Sequence, residues 1–131
     1  MELGISPDKE KAKALLIMAK VTLERLHEID LKKYPSNTLI DYYDTIHKLF
    51  DAIACIKGIK FKGDGAHQQL IDNICNEYFS EKERIFLQEM RDYRNRIHYE
   101  GFVVNVSYIV SNSKRTERII EKLMGVIGRL L

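Results

Sequence analysis

The sequence predicts an all-α fold: an up-and-down bundle of four to five helices with a C-terminal closing helix. Apolar residues recur at steps of three and four through most of the chain, and helix caps and stops punctuate that pattern at intervals. With two prolines and seven glycines in 131 residues, the elements between the stops can be long. One helical domain spanning 1–131 is expected, large enough to bury a core without disulfides or structural metal.

Ser6, Pro7 and Asp8 read as a helix start, with a hydroxyl cap, proline at the first helical position and an acid in the first turn. Ala12, Leu15, Leu16, Ala19, Leu23, Leu26 and Ile29 then repeat at helical spacing until Lys33-Tyr34-Pro35, which predicts a first helix over about 7–33. Ser36 and Asn37 can cap a second helix, whose seam runs Leu39, Tyr42, Ile46, Leu49, Ile53 and Ile56. The stretch 57–65, with Gly58, Gly63 and Gly65 among Lys57, Lys60 and Lys62, reads as a mobile basic loop; its glycines do not match a P-loop. A shorter helix over about 66–78 turns Leu70, Ile71, Ile74 and Tyr78 inward. Ser80 and Glu83 form a capping box that opens a helix over about 81–99, with Phe86, Met90, Tyr93 and Ile97 as its core stripe and Gly101 as its terminator. Ile120, Leu123, Ile127 and Leu130 place a last helix over about 105–130, while Phe102 to Val106 has the composition of a short extended piece.

Hydrophobic content of 45% and charged content of 31% are those of an ordinary soluble globular protein. A net charge of +2 is too small for nucleic-acid binding by bulk electrostatics, so any such contact must be local. No apolar run approaches bilayer length and no signal core opens the chain, so the expected location is the cytoplasm, with no membrane contact. Cys55 and Cys75 lie in apolar surroundings without a paired motif and read as reduced core residues. His27, His47, His67 and His98 are scattered, so neither a metal nor another cofactor is expected.

The strongest chemical signal is Arg91-Asp92-Tyr93-Arg94-Asn95-Arg96-Ile97-His98-Tyr99 on the fourth predicted helix. At about 100° per residue, Arg91, Arg94 and His98 fall within roughly 60° of one another, one residue past the core stripe and therefore on its flank. Two guanidinium forks and an imidazole on one stripe suit a phosphodiester. Leu87 continues the stripe upward, and an apolar residue in line with arginines suggests a partner helix on that face.

These residues resemble the HEPN family, small all-helical proteins marked by an arginine, four to six residues, and a histidine on one helix. Arg91 and His98 fit with six residues between them, and Asp92 fills the polar position after the arginine. The register from Arg94 leaves only three before His98, one short of the pattern. The resemblance extends loosely to the whole bundle. It implies RNA cleavage, often by the toxin of a module whose antitoxin is a small nucleotidyltransferase, in a site built by two chains pairing through the motif helix. In one branch the transferase modifies a tyrosine separated from the histidine by one residue; Tyr99, which follows His98 with no residue between, is the nearest counterpart.

Metal-independent cleavage of RNA to 2′,3′-cyclic phosphate ends needs a base for the 2′-hydroxyl, an acid for the leaving 5′-oxygen and positive charge over the phosphorane. Arg91 and His98 are the expected catalytic pair. Arg94 joins Arg91 on the phosphate, and Asn95 or Asp92 orients them by hydrogen bonding. One histidine does not comfortably make both proton transfers, which couples the mechanism to a homodimer. The alternatives are a noncatalytic RNA- or nucleotide-binding module and a structural bundle. For those, His98 is a surface or capping histidine, and the arginines form a solvated face paired with Glu89, Asp92 and Glu100. Tyr42 and Tyr93 read as core rather than as base-stacking residues.

Overall fold

A computed structural model describes residues 1–131 as an all-α bundle of five helices with one small ribbon. The helices are α1 (Lys9–Glu28), α2 (Pro35–Lys57), α3 (Ala66–Tyr78), α4 (Glu81–Glu100) and α5 (Val106–Leu130). Strands β1 (Glu2–Gly4) and β2 (Ile59–Phe61) pair antiparallel, with Leu3 opposite Lys60. No helix is long and apolar enough to cross a membrane.

The long α2 is the spine. Its seam residues Leu39, Tyr42, Ile46, Leu49 and Ile53 are buried as their spacing predicts, and α1, α3, α4 and α5 all pack against it. Cys55 and Cys75 are free thiols in the core, and burial pushes the Cys75 thiol up to about 12. A smaller cluster of Leu39, Val104 and Ile109 gathers Tyr93, Ile97 and Phe102 around it. It anchors the C-terminal half of α4.

Local signals account for most boundaries. Ser80 and Glu83 make the reciprocal capping box at the start of α4, and Gly101 ends that helix at φ 69°, its N–H donating to the Arg96 carbonyl. Asn105 caps α5 through the Ser107 amide. The start of α1 differs: Asp8, not Ser6, is the cap, accepting from the Lys11 amide. That helix also stops at Glu28 rather than near residue 33, because Ile29 is extended and Asp30 opens a turn whose carbonyl accepts from the Lys33 amide.

The basic stretch after α2 is not simply a loop. Ile59 and Phe61 alternate with Lys60, and the Glu2–Gly4 segment supplies the hydrogen-bonding edge that lets them form a strand with the apolar pair inward. Gly58 makes the approach feasible. At φ 71° it ends α2, and a Cβ there would stand 2.6 Å from the Ile5 carbonyl oxygen. Residues 101–105, in contrast, form no strand; the Val104 amide donates to Ser36 Oγ and its side chain fills the smaller core.

Candidate phosphate-binding cleft

Helix α3 has 13 residues and α4 has 20. The two are held together by Arg84 and Gln88 of α4 reaching Asp72 of α3, and by the Gln88 amide donating to the Gln68 carbonyl. Because α3 begins only at Ala66, its cover of α4 runs out just beyond Gln88. On the covered side of that limit Leu87 is fully buried in the chain's own core. The sequence expectation that it meets a partner helix is thereby corrected: the chain's own core already encloses it.

Past that limit the same flank of α4 opens into a cleft of about 300 Å³. Arg91, Arg94, Asn95 and Tyr99 form one wall. Opposite them stand Tyr43, Asp44 and His47 of α2, with His67 from the first turn of α3. Arg94 Nε lies 3.4 Å from Asp44 Oδ1, close enough for attraction but not aligned as a hydrogen bond. Arg91 has no carboxylate partner, so its guanidinium is free to meet an anion.

The remaining motif residues go elsewhere. Asp92 is exposed and His98 is exposed with its ring edge-on to Tyr99 at 5.9 Å; neither lines the cleft. Rise along the helix is not the cause, since Tyr99, one residue further along α4, does line the cleft. Arg96 stacks on the Phe102 ring at 4.0 Å and loosely approaches Glu100 at 3.7 Å. Of the carboxylates expected to pair with the arginines, Glu100 alone does so, and it meets Arg96.

Sequence reasoning missed the α2 and α3 wall. Tyr43, His47 and Asp51 recur every four residues beside the α2 seam, a spacing that puts them on one line, but no local signal places that line opposite α4. The rings of Tyr43, His47 and His67 form a ladder: Tyr43 and His47 are stacked at 6.1 Å, and His47 and His67 at 4.5 Å. Burial pushes the Tyr43 phenol up to about 12, with Arg91 and Arg94 pulling the other way. Burial likewise lowers His47, against the pull of Asp51 at 3.4 Å.

Three of the five buried side-chain polar atoms that lack a hydrogen-bond partner belong to this lining: Tyr43 Oη, His47 Nδ1 and Arg94 Nε. A buried polar group left unpaired costs about 1–3 kcal/mol. These three atoms sit behind the wall of the cleft, whose open side carries Arg91, a guanidinium without an ion-pair partner. No group of three or more His, Cys, Asp or Glu side chains is arranged to hold a metal ion.

No protein-family model, curated protein or solved structure matches this chain.

Proposed function

We propose that this protein is a metal-independent endoribonuclease of the HEPN kind, acting in the cytoplasm, with the scissile phosphate held on Arg91 and Arg94. The observation that carries the reading is the free Arg91 guanidinium beside Arg94 and Asn95 in a cleft whose buried polar atoms lack partners. Guanidinium forks match phosphate oxygens bidentately and stabilise charge that grows toward the phosphorane. The 2′-oxygen attacks phosphorus as a base takes its proton, and the 5′-oxygen departs as an acid returns one, leaving a 2′,3′-cyclic phosphate.

His98 is the proton-transfer residue in this reading. It is exposed and outside the cleft lining, which suits a composite site in a homodimer: paired motif helices would bring each His98 to the phosphate on the partner's arginines. Tyr99, 79% exposed, is accessible to a nucleotidyltransferase antitoxin.

The test compares wild type with Arg91→Ala and His98→Ala on labelled RNA in excess EDTA, scoring cleavage and cyclic phosphate ends. Cutting by the wild type alone is the expected result. The position of His98 outside the cleft favours one other reading, a noncatalytic RNA- or nucleotide-binding module. It requires RNA binding that survives His98→Ala and no cleavage by any form.

A further inference from the structure

Next to the arginine cleft lies a second cavity, of about 350 Å³. His47 and His67 line both spaces, their rings nearly parallel at an interplanar angle of 12°, so the two meet across a single stacked imidazole pair. The linings differ in chemistry. Leu15, Ala54, Phe61 and Leu70 make the second one largely apolar, while Asp51 and Lys60 add an acceptor and a donor.

That volume is near the lower limit for ligand pockets and suits a flat heterocycle better than a bulky group. Within a ribonucleotide, base and phosphate are separated by one sugar. An apolar cavity walled by a phenyl ring and imidazoles, adjoining a cationic cleft, reproduces that sequence of chemistries. The β1–β2 ribbon contributes the wall: pairing with β1 holds Ile59 and Phe61 inward over the cavity.

We propose that this cavity, between β2 and helices α1, α2 and α3, is a base-binding subsite for the ribonucleotide whose phosphate rests on Arg91 and Arg94. The base enters past the His47–His67 pair, stacks on imidazole and Phe61, and presents its polar edge to Asp51 and Lys60. Its place on an RNA strand rests on the ribonuclease reading; the pairing of base and phosphate subsites does not.

Calorimetric titrations with inorganic phosphate and with each of the four ribonucleoside 5′-monophosphates test the subsite. Wild type is expected to bind at least one mononucleotide about tenfold or more tighter than phosphate, in line with one stacked base. Ala66 is half-buried at the cavity rim, so Ala66→Phe should fill the space and abolish the preference while phosphate affinity stays within about twofold. Phe61→Leu keeps an apolar wall without the ring and is expected to reduce the preference severalfold, which decides the matter even if Ala66→Phe misfolds. Equal affinity for phosphate and all four mononucleotides, or a preference that survives both substitutions, would overturn the subsite. Competition by a hexaribonucleotide weaker than that by the mononucleotide would overturn its place on a strand. Nucleotide preference without RNA cleavage leaves the subsite standing and removes the nuclease; cleavage without nucleotide preference does the reverse.

Discussion

Truncating Leu87 separates two accounts of the motif helix. Leu87 lies on the same stripe as Arg91 and Arg94, yet it is fully buried against the rest of its own chain. Leu87→Ala removes buried methyl groups and leaves a cavity, for which about 3–5 kcal/mol is the usual cost. Unfolding entropy of about 2.1 cal/mol/K per residue, taken over 131 residues, converts each kcal/mol into about 3.6 °C. The melting temperature should therefore fall by about 11–18 °C. Thermal and urea unfolding followed by circular dichroism, across a hundredfold range of protein concentration, measures both the size of the loss and its origin. A core residue loses stability equally at every concentration. A loss below about 1 kcal/mol, or one that appears only where subunits associate, would refute the assignment of Leu87 to the core and restore it to a subunit contact.

Gly58→Ala should cost about 2–4 kcal/mol, the sum of a left-handed backbone penalty and a clash with the Ile5 carbonyl that breaks the Ile5 amide's bond to Gly58. Gly101→Ala shares the positive φ without the clash and should cost about 1–2 kcal/mol; equal losses in urea unfolding would refute the close approach. His47 titrates below its ordinary value, through burial first, with Asp51 opposing, His67 adding, Asp44 opposing and Arg94 adding. The unfolded chain therefore takes the proton first. The stability that follows is fully present above the ordinary imidazole pKa of about 6.5 and is lost as pH falls through it toward the folded value. His47→Gln should flatten the urea midpoint between about pH 7.5 and pH 5.5, and an unchanged slope would place the acid sensitivity elsewhere.

Helix boundaries were the most legible part of the sequence where their cause is local. The Ser80–Glu83 box, the Gly101 stop and the Asn105 start each depend on a few neighbouring residues, and each is found where the residues predict it. The end of α1 was less legible, since Ile29 keeps the apolar period although the backbone has already left the helix. The ribbon was invisible for a different reason. A three-residue strand acquires its hydrogen bonds from a partner more than fifty residues away, and only the packed fold brings Glu2–Gly4 beside Ile59–Phe61.

The candidate site divides in the same way. Sequence alone determined that Arg91, Arg94 and His98 share a flank of one helix, because the helical period is a property of the backbone. Tertiary structure decided what that flank meets. The packed core buries Leu87, the start of α3 at Ala66 leaves the arginines uncovered, and α2 brings Tyr43, Asp44 and His47 across from them. It also decided that His98 stands outside the cleft while two other histidines stand within it. Periodicity fixes the angle of a side chain about its own helix, whereas the neighbour it faces depends on helix lengths and packing directions summed over the whole chain.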